Sequence, residues 1–153
     1  LGAQGRGCVG ARAKGVRLDI VEVRQAQDLK AAFAQITSAG AQAIMVTFTP
    51  VLITARHRIV DFAARHRLPA MYGEALFVEA GGLMFYGSPY ADLNRRAAAV
   101  VARILNGVSP SDVPVEQPTD FKLLINRKTV KALGATIPQS VLVRTEFIET
   151  PRP

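Results

Sequence analysis

The apolar residues of this chain recur at two spacings, one suited to strands and one to helices. At 18–23 (LDIVEV) apolar positions alternate with polar or acidic ones and β-branched types are frequent, which predicts a strand. At 43–48 (AIMVTF) the apolar run is continuous, as in a parallel strand covered on both faces, and Pro50 closes it. Two further runs, 69–72 (PAMY) and 83–86 (LMFY), each end in Tyr-Gly. Between them the period lengthens. Leu29, Phe33 and Ile36 share one helical face, with Asp28 as the expected cap and Gly40 as the left-handed stop. A second helix is predicted over 54–67, with Ala55, Ile59, Phe62 and Ala63 inward, until Leu68-Pro69 ends it. The longest stripe, Leu93, Ala97, Val100, Val101, Ile104 and Leu105, predicts a helix over 91–106 with Ser88 as cap and Pro89 at its first position.

Strand, helix, strand, helix, strand in that order predicts an α/β fold with a parallel sheet in a three-layer lobe, through right-handed crossovers. The segment 74–82 (EALFVEAGG) is too short for a packed crossover helix and reads as a brief helical turn ended by Gly81-Gly82. Pro110, Pro114 and Pro118, four apart, read as an extended connector. A strand at 121–125 (FKLLI) and a short helix over 127–133, capped by Asn126 and ended by Gly134, follow; the tail shows no strong pattern. In open α/β sheets the ligand crevice lies at the carboxyl ends of the strands. Gly73, Glu74, Gly87, Ser88 and Tyr90 are therefore the expected crevice residues, with Tyr72 and Tyr86 at the strand ends themselves.

Composition narrows the function classes. The chain has 153 residues, 49% apolar and 20% charged, which is a core-forming composition of one ordinary domain. The run of apolar residues needed to span a membrane is missing. The net charge of +7 would permit contact with nucleic acid, but Arg56, Arg58, Arg65 and Arg67 fall on the polar side of one helix and Arg95, Arg96 and Arg103 on another. No aromatic residue is interleaved to stack bases, so a solvated basic face is the expectation and no nucleic-acid partner is.

The candidate chemistry is sparse. Gly5, Gly7 and Gly10 spell a dinucleotide-binding pattern with Glu22 downstream, yet the strand that should precede it and the full helix that should follow are missing. His57 and His66 are nine positions apart on one predicted helix, a rise of about 13.5 Å, too far for shared coordination. Cys8 is the single cysteine, so neither an intramolecular disulfide nor a cysteine cluster forms. No Ser or Cys has a base at a recognisable spacing, and Glu74 with Tyr86 is the nearest thing to an acid/base pair. No enzyme activity and no cofactor are expected.

Five stretches, FAARHRLPAMYGE, FVEAGGLMFYG, ADLNRRAAAVVARILNG, PVEQPTDFKLLIN and KTVKALGATIP, carry a resemblance over about residues 13–140. In order and spacing the chain is similar to the substrate-binding proteins of ABC transporters with a type I periplasmic binding fold, in the group with tryptophan- and tyrosine-binding members. The resemblance implies two α/β lobes hinged by crossing strands, with a small solute trapped between them and delivered to a membrane permease. It also implies that this chain is the C-terminal portion. Residues 1–82 would be the second lobe, 83–120 the hinge strand, helix and connector bordering the first lobe, and 121–153 the return strand, short helix and tail. An extracytoplasmic, periplasmic location follows from the same resemblance, with the export signal upstream of Leu1. The apolar face of helix 91–106 would then lack its sheet and invite self-association.

Residue by residue, the resemblance adds Phe48 and Thr49 to Glu74, Tyr86, Ser88 and Tyr90 at the ligand, while Tyr72, like Tyr86, is a strand-end ring that either stacks on a ligand or belongs to the core. Many relatives carry an aspartate suited to a ligand amine where this chain has Thr49, and Glu74 can supply that carboxylate instead. Where other relatives have Asn after Tyr-Gly-Pro, this chain has Pro89. The expected solute is small and polar or aromatic, an amino acid or aromatic acid among the candidates. Two other readings share the fold class: a ligand-sensing domain of a regulator, and a small flavodoxin-like enzyme or signalling domain, which would need a phosphate loop or acidic pocket after the first strand near Glu22.

Overall fold

The computed structural model describes residues 11, 13–115 and 117–149. Gly5, Gly7, Cys8 and Gly10 lie outside the described residues. The chain forms two compact units, Leu1–Ala41 and Gln42–Pro153.

In the first unit, 18–23 makes no strand. Alternation alone does not make one, because a strand exists only where a neighbour completes its ladder of N–H and C=O groups. Leu18 and Ile20 are exposed, and Glu22 pairs with Arg24 at 2.9 Å. The helix is present as α1 (Leu29–Ser38), with Leu29 and Ala32 buried. Asp28 works in the other direction from that expected. Its carboxylate accepts the backbone N–H of Arg24 at 3.0 Å and of Gln25 at 3.1 Å, closing a 3-10 turn over Ala26–Asp28 ahead of α1. Gly40 takes φ 62°, the left-handed stop.

The second unit holds a five-stranded sheet in the order β1 (Ile44–Val46), β2 (Ala70–Tyr72), β3 (Met84–Gly87), β4 (Lys122–Asn126) and β5 (Thr145–Ile148). β1, β2 and β3 run parallel, β4 is antiparallel to β3, and β5 is parallel to β4. The carboxyl ends of the first three strands therefore share an edge with the amino ends of the last two. Between β1 and β2 lie α2 (Pro50–Thr54) and α3 (Arg56–Arg65), and between β2 and β3 the single turn α4 (Leu76–Glu79). The long helix is α5 (Tyr90–Leu105). After β4 come α6 (Arg127–Leu133) and α7 (Gln139–Leu142).

Several expectations change here. β1 is an edge strand with Met45 59% exposed, not a strand covered on both faces. Pro50 opens α2 rather than ending β1, because Thr49 caps it and a proline suits the first helical position. The helix predicted over 54–67 is present as α3, and Ala55, with ψ near 9°, separates it from α2, which was not expected. The proline connector contains a 3-10 turn at Pro110–Asp112, and the tail supplies both α7 and β5.

The core of this unit is built from Ile59, Val60, Phe62 and Ala63 of α3, Tyr72 of β2, Phe77 and Val78 of α4, Phe85 of β3 and Ile125 of β4. On β3 the pleat alternates burial, with Phe85 fully buried and Tyr86 54% exposed. Gly82 shows how tightly α4 returns into β3, since a Cβ there would lie 2.6 Å from the Phe77 carbonyl oxygen and 2.5 Å from the Tyr72 ring. Asn126 ends β4 and caps α6 by accepting the N–H of Lys128 at 3.0 Å and of Thr129 at 3.4 Å. Gly134, at φ 68°, stops that helix.

On α5 none of the residues is fully buried. The proline connector lies along it, and the two enclose a groove of about 390 Å³ lined by Leu93, Ala97, Val100 and Ile104 from the helix and Val113 and Pro118 from the connector. Val101 and Leu105 remain exposed.

Candidate functional site

Strand polarity brings the candidate residues to one edge of the sheet. Phe48 and Thr49 follow β1, Gly73 and Glu74 follow β2, Tyr86 stands next to Gly87 at the end of β3 with Ser88 and Tyr90 after it, and Phe121 precedes β4. The first two turns touch. The Gly73 N–H donates to the Val46 carbonyl at 2.8 Å, and a Cβ on Gly73 would lie 3.0 Å from the Phe48 nitrogen. A larger residue at 73 would press on the backbone between Val46 and Phe48, which would have to give by a few tenths of an ångström.

Two aromatic pairs stand on this edge. Phe48 stacks on Tyr90 with ring centroids 5.4 Å apart, and Tyr86 stacks on Phe121 at 5.7 Å. All four rings are between 44% and 55% exposed, which leaves apolar faces open to solvent where a core residue would have hidden them. Phe121 was not among the residues expected from sequence. Its signal was an aromatic residue opening a strand whose register puts Leu123 opposite Tyr86.

Two of the expected polar groups are already engaged. Thr49 Oγ1 accepts the N–H of Leu52 at 3.3 Å and so caps α2. Ser88 does not cap α5; Pro89 occupies that position, and the Ser88 hydroxyl donates to the Asp120 carbonyl at 2.8 Å. Asp120 is in turn held by Arg96 of α5 at 2.6 Å, so the residues entering β4 are tied to those leaving β3. Lys122 pairs with Glu146 at 3.5 Å.

Tyr72 is turned into the core. It is 1% exposed, stacks on Phe77 at 4.7 Å, and its hydroxyl has no hydrogen-bond partner among the described residues. Burial pushes its phenol well above the usual range, since the charged form loses water and gains nothing in exchange.

Among the described residues Glu74 is the one buried acid, 7% exposed. One of its oxygens accepts the N–H of Ala75 at 3.1 Å. Burial raises the carboxyl above its ordinary value, the Ala75 N–H partly offsets this, and the like charge of Glu79 adds to the rise. Among the described residues no group of three or more His, Cys, Asp or Glu gathers as a metal site, and no helix is long and apolar enough to cross a membrane.

The family model described as ABC transporter substrate binding protein matches residues 9–148 of this chain. A curated relative, the tyrosine-binding protein of Clostridioides difficile (strain R20291), is 27% identical over 83 residues, which are 54% of this chain and 24% of that protein. Among solved structures, a conserved domain protein from Vibrio cholerae O1 biovar El Tor superposes with a TM-score of 0.84 at 24% identity over 94% of this chain and 48% of its own. An ABC domain from Streptococcus pneumonia in complex with L-Trp gives the same TM-score, identity and coverage. The ligand-free, open structure of a substrate binding protein with adhesive properties from Clostridium difficile gives 0.65 at 20% identity, over 97% of this chain and 51% of that one. At these identities the structural matches show a shared fold, and the chain spans about half the length of the solved relatives.

Proposed function

This chain belongs to the ABC transporter substrate binding protein family, and we propose that it forms one side of a cleft holding a small solute with an aromatic ring. The observation that carries this reading is the stacked pair Phe48–Tyr90, half exposed at the carboxyl edge of the parallel strands. Exposed aromatic faces lose little on ordering and offer a large apolar surface to a ring. The names of the relatives, one binding tyrosine and one holding L-Trp, support the same solute class.

On this reading the protein binds without reacting, is extracytoplasmic, and hands its solute to a membrane permease. Affinity for the solute favours a closed arrangement of two lobes, the usual linkage between ligand and hinge. Residues 1–82 are assigned to one lobe, 83–120 to the hinge strand, helix and connector, and 121–153 to the return. Ser88, Asp120 and Arg96 suit the hinge, since they tie both crossing segments together beyond Gly87 and Lys122, which are opposite one another.

A thermal-shift screen of the chain against amino acids, aromatic acids and short carboxylates tests it, repeated with Phe48→Ala and Tyr90→Ala. A rise specific to aromatic solutes and lost in both variants is expected. Stabilisation by aliphatic amino acids or short carboxylates instead would sink the reading.

A further inference from the structure

We infer that Asp120 is a positioning residue for the candidate site: it holds Arg96 with its carboxylate and Ser88 with its carbonyl, and so keeps α5 at the tilt that stands Tyr90 over Phe48. This rests on the solute-binding reading above and makes the same site sensitive to ionic strength. Residues 88–121 form one excursion out of the sheet. It leaves after Gly87 and returns at Lys122, and these two are register partners on β3 and β4. The excursion holds α5 and the proline connector, packed on each other through the apolar groove between them. No residue of α5 is fully buried and no side chain caps it. The usual anchor of a helix, an apolar face sunk in a core, is therefore weak here.

The ties between α5 and the neck of the excursion are polar. At the neck the Ser88 hydroxyl donates to the Asp120 carbonyl at 2.8 Å. One bond there leaves a pivot. A second tie removes it, because the Asp120 carboxylate accepts from the Arg96 guanidinium at 2.6 Å, and the same guanidinium reaches the Thr119 hydroxyl at 3.4 Å. Arg96 lies about 9 Å further along the helix axis than Tyr90, so these bonds fix the direction of α5 as well as its place. Neighbouring cations are already engaged, Arg95 by Asp92 on the same helix and Lys122 by Glu146. The aromatic contact tolerates little drift, since ring pairs interact at centroid distances of about 4.5 to 7 Å and Phe48 and Tyr90 stand at 5.4 Å. The Asp120 side chain is 73% exposed, so its ion pair adds little to stability and is screened by salt. Losing it moves a ring and leaves the fold standing.

The test is calorimetric titration of the chain with L-tyrosine and L-tryptophan, together with nuclear Overhauser contacts between the Phe48 and Tyr90 rings, in wild type, Asp120→Asn and Asp120→Glu. Asp120→Asn should bind both solutes about threefold more weakly, within what one exposed ion pair supplies, and should lose the ring contact at unchanged helix content and melting temperature. Asp120→Glu, which keeps the charge, should restore both. Raising salt from about 0.1 M to about 1 M, which cuts the screening length from about 10 Å to about 3 Å, should weaken binding in wild type by more than in Asp120→Asn. An intact ring contact in Asp120→Asn overturns the inference, and so does the same salt response in both proteins. Equal affinity in wild type and Asp120→Asn sinks the inference alone. If wild type binds neither solute, the solute-binding reading falls and takes this role with it.

Discussion

Phe48 and Tyr90 meet face to face, 5.4 Å between ring centroids and 24° between planes, although one follows β1 and the other opens α5. The contact exists because β1 and β3 are both parallel to β2, so their carboxyl ends share one edge. A pair left this exposed contributes little to holding the fold.

Phe48→Ala and Tyr90→Ala should therefore lower stability by no more than about 1 kcal/mol, the range for one aromatic pair, while solute binding is lost. Urea denaturation alongside ligand titration separates the two effects. A large drop in stability with binding retained would mean the rings are structural.

Gly82→Ala should be costly. The added methyl would lie 2.6 Å from the Phe77 carbonyl oxygen and 2.5 Å from the Tyr72 ring, and the backbone atom cannot swing away. Overpacking of this kind costs about 1–3 kcal/mol, read as a lower urea midpoint. Gly134→Ala offers a contrast, since a Cβ there meets nothing within 4 Å and only its φ of 68° is strained; about 1 kcal/mol is expected.

Stability should fall with rising pH through the titration of Glu74. Its carboxyl is raised from 4.5 by burial first, so the folded protein holds that proton more tightly than the unfolded chain. The folded state is thus favoured below the ordinary glutamate value and loses the advantage as pH climbs from there through the raised one. Asp28 has the opposite sign, lowered by the N–H groups of Arg24 and Gln25, and its contribution is lost as pH falls. Denaturation midpoints across the acid range should decline less with pH in Glu74→Gln than in wild type. Equal slopes would mean that Glu74 titrates as an exposed acid.

Asn126→Ala removes a cap and leaves donors unpaired at a fully buried site. The side chain accepts from Lys128 and Thr129, and its amide reaches the Val78 carbonyl at 3.4 Å. A loss of about 2 kcal/mol is expected, with Asn126→Asp recovering the cap but not the bond to Val78. A wild-type melting temperature in Asn126→Ala would contradict the assignment.

Local rules decided what local physics controls. Periodicity located α1, α5, β2, β3 and β4, and the cap and stop at Asn126 and Gly134 followed from side-chain and backbone chemistry within a few residues. The family resemblance was equally legible, since it rests on residue identities in order, and the carboxyl ends of β1, β2 and β3 could be named as the candidate edge before any coordinates. Neighbours decided the rest. Whether 18–23 became a strand and whether β1 was covered depended on partners that periodicity does not report. β5 was missed because Thr145–Ile148 is a short run whose identity as a strand comes from its pairing with β4. Tyr72 and Tyr86 both precede glycine at a strand end, yet one is 1% and the other 54% exposed. Which way each ring turns is set by the pleat of its strand and by what lies on that face of the sheet, and that is a property of the tertiary structure alone.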